Sequence, residues 1–70
     1  MTENSSNRNY TLEILINEIK TYEIEGGNKN RLINDHVVRC EFLDNVIKRH
    51  NELIFSICYP LIDEAVWKTD

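Results

Sequence analysis

Cysteine is scarce in this 70-residue sequence, which has only Cys40 and Cys58, each within an apolar helical pattern. Chains of this size bury little surface and commonly gain stability from disulfides, a metal or oligomerisation. The first nine residues are polar and lack the apolar stretch of a secretory signal. Two thiols without such a signal are typical of a reducing cytosol, so we expect a cytoplasmic protein without disulfide bonds.

Long apolar runs and basic residues are also lacking. The longest apolar run, over 53–61, is interrupted by Ser56 and Pro60 and is well short of the about 20 residues that span a bilayer. Eight Lys and Arg residues stand against twelve Asp and Glu, which gives a net charge of -4. Broad nucleic-acid surfaces need clustered positive charge. We therefore expect no membrane association and no direct binding of nucleic acid.

Periodic apolar residues first occur near Tyr10. We therefore predict that residues 1–9 are a disordered lead and that residues 10–70 form a single helical domain. A helix is predicted over about 11–25, with Thr11 as its N-cap, because apolar residues recur at i, i+3, i+4 and i+7. Apolar residues also occupy every second position over 10–16, so a short strand is the alternative. Glycine supplies a left-handed residue just past a helix, so Gly26-Gly27 is predicted to end the element.

Glycine and proline are absent between Gly27 and Pro60, and this absence predicts one long helix over about 29–58. Its N-cap is predicted at Asn28 or Asn30. Proline disrupts a helix interior but is tolerated in a first turn. We therefore expect a bend at Pro60 and a short helix over about 61–68.

Charged pairs along the predicted long helix have the i, i+4 spacing of surface ion pairs. They are Asp35 with Arg39 and Asp44 with Lys48. The predicted fold class is all-α: a helical hairpin of short helix, Gly-Gly turn and long helix, with a short C-terminal helix after Pro60.

The predicted long helix carries more apolar length than the first helix can cover. The two helices have lengths of roughly 21 Å and 45 Å at 1.5 Å per residue, so the stripe beyond about Ile47 needs another cover. A homodimer of hairpins, assembled as a dimeric helical bundle, would supply it, and so would an unrelated helical partner. The predicted assembly interface comprises Ile33, Val37, Cys40, Leu43, Ile47, Ile54 and Ile57.

Three aromatic residues near the C-terminus are predicted partner contacts, because Tyr and Trp often anchor protein interfaces. They are Phe55, Tyr59 and Trp67. Trp67 has a second interpretation, in which it closes the end of the core.

His36 and Cys40 are four residues apart, a spacing at which two side chains on one helical face can both bind a metal ion. His50 lies about 20 Å away along the predicted helix, so only a dimer could complete a four-ligand site. No CxxC or HExxH pattern accompanies the pair. We interpret Cys40 as a small buried hydrophobe and expect no metal and no cofactor. The predicted long helix has a heptad pattern with His36, Leu43, His50 and Ile57 at its d positions. A pH switch at His36 and His50 is therefore a further hypothesis.

Catalytic motifs are lacking. No Ser or Cys occupies a sharp turn beside a base, and Gly26-Gly27 is not followed by the Lys-Ser/Thr of a phosphate-binding loop. The short-helix, glycine-turn, long-helix plan is similar to that of small helical-hairpin chaperones and dimeric regulators. The sequence therefore predicts a protein-binding regulator, adaptor or chaperone-like protein and not an enzyme. The alternative is a nucleic-acid-associated regulator, modulating the nucleoid or transcription, that acts through a partner.

Overall fold

The computed structural model describes residues 2–69, with side chains from residue 8 onward, and its regular structure is helical. Four helices follow in order: α1 (Thr2–Ile24), α2 (Lys29–Asn34), α3 (His36–Arg49) and α4 (Phe55–Lys68). No strand occurs within residues 2–69, which confirms the all-α prediction. Helix α1 packs most extensively against α4, and the short α2 contacts α1, α3 and α4.

Helix α1 is longer at its start than the sequence predicts. Residues 2–9, expected to be a disordered lead, belong to α1, whereas Met1 lies outside the described residues. The guanidinium of Arg8 pairs with the Glu64 carboxylate of α4 at 2.7 Å. Thr11, predicted as the N-cap, is buried within the helix instead. Residues 2–9 are thus helical although their composition did not predict a helix, and Arg8 in this segment contacts α4.

The Gly-Gly turn ends α1 as predicted. Gly26 has a φ of 99°, in the left-handed region that glycine enters without steric cost. A Cβ on Gly27 would lie 2.5 Å from the ring of Tyr22, so a side chain is also excluded there. The side chain of Asn28 then accepts a hydrogen bond from the Asn30 N–H at 2.9 Å and caps α2, which confirms one of the two predicted caps.

The predicted continuous helix over 29–58 is wrong, and Asp35 makes the first of its two breaks. Asp35 has extended backbone angles between α2 and α3. Its N–H donates to the Arg31 carbonyl at 2.9 Å, while its carboxylate accepts from the N–H groups of Val37 and Val38 at 3.1 and 3.3 Å. One residue therefore ends one helix and starts the next, since side-chain capping competes locally with helix continuation.

The second break lies between His50 and Ile54. The basic residues of the last turn of α3, Lys48 and Arg49, favour a helix C-terminus through the helix dipole. Leu53 is buried in the core and its N–H donates to the His50 carbonyl at 3.0 Å. Burial of Leu53 thus fixes a bend that carries no glycine or proline.

Helix α4 begins at Phe55 and runs through Pro60, so the predicted bend at Pro60 and the separate helix over 61–68 are also wrong. Proline removes the hydrogen bond to the carbonyl four residues earlier, here that of Ser56. Both residues are exposed, and an exposed carbonyl can bind water. Pro60 therefore stays within the helix on its outward side.

Apolar residues of all four helices and of the bend form one core. Thirteen are buried in it: Leu12, Leu15, Ile19, Leu32, Phe42, Leu43, Val46, Leu53, Cys58, Leu61, Ile62, Ala65 and Val66. Because α4 folds back onto α1, the chain covers part of its own apolar stripe, although Ile54 and Ile57 stay exposed. The long helix whose length suggested a dimer is absent from residues 2–69.

Arg39 is the charged residue in this otherwise apolar interior, and it is only 7% exposed. Its guanidinium donates to the carbonyls of Leu32 and Tyr59 at 2.5 and 3.2 Å and to the Asp63 carboxylate at 2.6 Å. The predicted surface pair of Asp35 with Arg39 is thus wrong, because Asp35 pairs with Arg31 at 3.6 Å. The other predicted pair, Asp44 with Lys48, is confirmed at 3.2 Å.

Replacing Arg39 by Lys should destabilise the fold by about 1–3 kcal/mol, because an ammonium cannot serve several acceptors in the fixed directions of a guanidinium. Asp63→Asn is the comparison, and its cost should stay below about 1 kcal/mol because the Asp63 side chain is 56% exposed. Urea unfolding followed by circular dichroism measures both. Equal losses in the two variants would show that the backbone carbonyl contacts of Arg39 contribute nothing.

Candidate functional site

The most prominent surface feature is a set of exposed apolar residues on α4 and beside it. We name it the outer apolar face, and it comprises Tyr10, Ile54, Ile57, Pro60 and Trp67. Ile57, Pro60 and Trp67 share one side of α4, since they are separated by three and seven residues. Trp67 is 73% exposed, so this ring does not close the core.

Two depressions connect this face to α1. The first, of about 380 Å³, is lined by Tyr10, Ile54 and Ile57 together with Thr11, Glu52 and Leu53. The second, of about 360 Å³, lies between Ile57, Pro60 and the Arg8–Glu64 ion pair. The outer apolar face therefore contains two recesses that can accept apolar side chains.

A polar rim borders the first depression. The Tyr10 hydroxyl donates to the Glu52 carboxylate at 2.7 Å. This hydrogen bond raises the pKa of Tyr10 and lowers the pKa of Glu52. An apolar centre with a charged and hydrogen-bonded rim is the arrangement of many protein interfaces.

The predicted assembly interface does not form one stripe, because its residues are distributed over three helices and a bend. Leu43 is fully buried in the core, and Ile33 and Ile47 are half-buried against it. Val37 is exposed on α3, far along the chain from Ile54 and Ile57 of the outer apolar face. The structure thus brings only part of the predicted set to the surface.

The predicted partner contacts also separate into two places. Trp67 belongs to the outer apolar face, whereas Phe55 and Tyr59 lie on the side of α4 that is near His36 of α3. The rings of Phe55 and Tyr59 are 5.7 Å apart between centroids, and those of His36 and Tyr59 are 5.6 Å apart. Tyr59 is therefore engaged within the chain.

His36, Cys40 and Tyr59 form a polar cluster at the start of α3. Nδ1 of His36 lies 2.6 Å from the Tyr59 hydroxyl, and Nε2 lies 3.5 Å from Sγ of Cys40. The guanidinium of Arg39 stacks over the Tyr59 ring at 4.7 Å from its centroid. Among the described residues, no group of three or more His, Cys, Asp or Glu side chains could hold a metal ion.

Glu18 lies at one edge of an acidic groove of about 300 Å³ between α1 and α3. Its carboxylate pairs with Arg49 and accepts from Nε2 of His50 at 2.9 Å. Burial acts to raise the pKa of Glu18, but the hydrogen bonds and charges of Arg49 and His50 outweigh it and leave the pKa lowered. The same contact raises the pKa of Arg49. Glu18 thus holds α1 to the end of α3.

The comparisons with known proteins give no assignment: no family model, no curated protein and no solved structure matches the chain. Between residues 2 and 69, no helix combines the length and apolar character needed to cross a membrane. The surface geometry is therefore the basis for a functional proposal.

Several residues of these sites escaped sequence reasoning. Tyr10 was used only to place the start of a helix, although it is exposed on the outer apolar face. Arg39 was predicted to be a surface charge, and nothing in the sequence indicated the contacts of Glu18 with Arg49 and His50. A hydrophobic pattern identifies the apolar side of a helix, but it does not predict which charged side chain will contact another helix.

Replacing Glu18 by Gln should lower the stability at pH 7 by about 1 kcal/mol, because the Arg49 and His50 contacts lose their charged acceptor. A lowered pKa means that the unfolded chain binds the proton more tightly, so the stability from Glu18 is present above its ordinary pKa of 4.5. It is lost as pH falls through the lowered value. The difference between wild type and E18Q should therefore shrink in acid.

Urea unfolding at pH 7 and at pH 3 measures this difference. Glu13→Gln is the control, because Glu13 is an exposed acid on the same helix and its replacement should change stability little at either pH. A difference between wild type and E18Q that is constant across this range would contradict a lowered pKa.

Proposed function

We propose that this protein is a small protein-binding module, acting as a regulator, adaptor or chaperone-like protein, and that it contacts its partner through the outer apolar face. The observation that carries the proposal is the exposure of Trp67, at 73%, on the same side of α4 as Ile57 and Pro60. A tryptophan in this position contributes little to the core. It can instead supply a large apolar contact area to another molecule.

The physical chemistry of the face supports a protein partner. Interface energy is concentrated in a few aromatic and apolar anchors surrounded by a rim that excludes water. Trp67 and Tyr10 are such anchors, and the Arg8–Glu64 and Tyr10–Glu52 contacts form the rim. The recesses beside Ile54 and Ile57 can receive side chains of the partner.

Nucleic-acid association through a partner is the rival proposal. The charge of -4 opposes direct contact with phosphates, and Arg8 beside the face is already paired with a carboxylate. We therefore favour a protein partner, and the experiment below distinguishes the two.

The test uses a photoreactive amino acid placed at position 57 and, in a matched control, at position 24. Ile24 is 84% exposed at the opposite end of α1, so it reports chance encounters with exposed apolar side chains. In cells of the source organism, position 57 should give a discrete protein cross-link that position 24 does not give. A cross-link from position 57 that nuclease removes would favour association with nucleic acid. The same cross-linked products from both positions would contradict the proposal that the outer apolar face is a docking site.

Trp67→Ala should then weaken binding of the purified cross-linked partner by tenfold or more, because a central tryptophan commonly contributes at least 2 kcal/mol to an interface. Ile24→Ala should leave the dissociation constant within about twofold. Circular dichroism checks that both variants keep the helical content of wild type. Unchanged affinity in Trp67→Ala would remove this residue from the interface.

A further inference from the structure

The His36–Cys40 pair has the geometry of two ligands of one tetrahedral metal ion. In a zinc site with Zn–N of about 2.05 Å and Zn–S of about 2.3 Å, tetrahedral angles place the nitrogen and sulfur about 3.5 Å apart. Nε2 of His36 and Sγ of Cys40 are separated by 3.5 Å. The two atoms can therefore bind one ion without a change in the distance between them.

The other nitrogen of His36 has a hydrogen-bond partner, as metal-bound histidines usually do. Nδ1 lies 2.6 Å from the Tyr59 hydroxyl, and a hydrogen bond of this kind fixes the tautomer and orientation of a ligating imidazole. With Nδ1–H donating to the Tyr59 oxygen, the lone pair of Nε2 points toward a ligand. The Arg39 guanidinium over the Tyr59 ring helps to hold this hydroxyl in place.

One chain supplies only half of the ligands. A closed zinc site has four, and the described residues provide no third His, Cys, Asp or Glu beside this pair. Asp44, one turn beyond Cys40, is paired with Lys48 at 3.2 Å instead. The missing two ligands must come from outside the described part of this chain.

A second copy of this chain fits the vacant half of the coordination sphere. The pair lies at the surface, with Val37 61% exposed and Phe55 exposed on the other side of Tyr59. A twofold axis through the ion would give a Cys₂His₂ site and bring these apolar side chains toward their symmetry mates. Two thiolates balance the ion's charge, so the site adds no net charge to two chains that each carry -4.

We propose that His36 and Cys40 of two copies bind one Zn²⁺ ion and that this ion bridges a homodimer. Each Cys40 thiol releases its proton to solvent as its sulfur binds the metal. Tyr59 acts as a positioning residue through His36. This surface differs from the outer apolar face, so the dimer leaves that face open, and either proposal can fail without the other.

The experiment uses full-length protein without a histidine tag, treated with a chelator and kept reduced. Zinc is added while mass is followed by light scattering and bound metal by elemental analysis. We expect the mass to double at one zinc per two chains. Cobalt(II) in place of zinc should give the strong visible absorption of a tetrahedral site with sulfur ligands.

Variants separate this site from adventitious zinc binding. Cys40→Ser and His36→Asn should abolish both the mass change and the cobalt spectrum. Cys58→Ala is the matched control, because Cys58 is buried and burial raises the pKa of its thiol, and it should behave as wild type. Tyr59→Phe keeps the ring and should weaken zinc affinity about tenfold.

Three results would overturn the proposal. They are a mass that stays at one chain with zinc, zinc bound at one ion per chain without dimerisation, and a zinc-induced dimer that persists in Cys40→Ser. Folding of each variant is checked by circular dichroism before metal is added. A Cys40→Ser variant with wild-type helicity therefore gives a clear answer in either direction.

Discussion

The fold depends on how one buried guanidinium is satisfied. Arg39 is the point where the end of α2, the start of α3 and the middle of α4 meet, and its donors go to three backbone carbonyls and to Asp63. Removing such a charge from water is expensive unless every donor finds an acceptor. The break at Asp35 makes this possible, because it lets α3 turn relative to α2 so that the Leu32 carbonyl faces the Arg39 side chain.

The composition and periodicity of the chain were enough to predict an all-α fold, the glycine turn and a cap at Asn28 or Asn30, of which Asn28 is the one found. They failed between residues 29 and 58, where the absence of glycine and proline was interpreted as continuity. Asp35 breaks the helix through its side chain, and the bend after His50 is held by the burial of Leu53. Neither cause is visible in a hydrophobic pattern. At Pro60 the prediction was wrong in the opposite direction. The proline predicted a bend, but the packing of α4 keeps the helix continuous through it.

The candidate sites show the same division between local and tertiary information. The spacing of His36 and Cys40 was visible in the sequence, but the Tyr59 hydroxyl on Nδ1 is supplied by α4 and became visible only in the fold. Likewise, Trp67 was a predicted contact, whereas Tyr10 joined the outer apolar face because α1 packs beside α4. A long uncovered stripe was the original reason to expect self-association. The zinc site proposed above would supply a different reason, since His36 and Cys40 of one chain provide two of its four ligands.

The pairing of α1 with α4 has a consequence for how the chain reaches its structure. These helices lie at opposite ends of the described sequence, and their mutual packing is the most extensive in the fold. Contacts between residues far apart in sequence require closure of a long loop, which slows folding relative to a bundle of sequential hairpins. During synthesis, Leu12, Leu15 and Ile19 have no α4 to cover them until residues 55–68 have left the ribosome. For that interval, the nascent protein exposes the apolar side of its first helix.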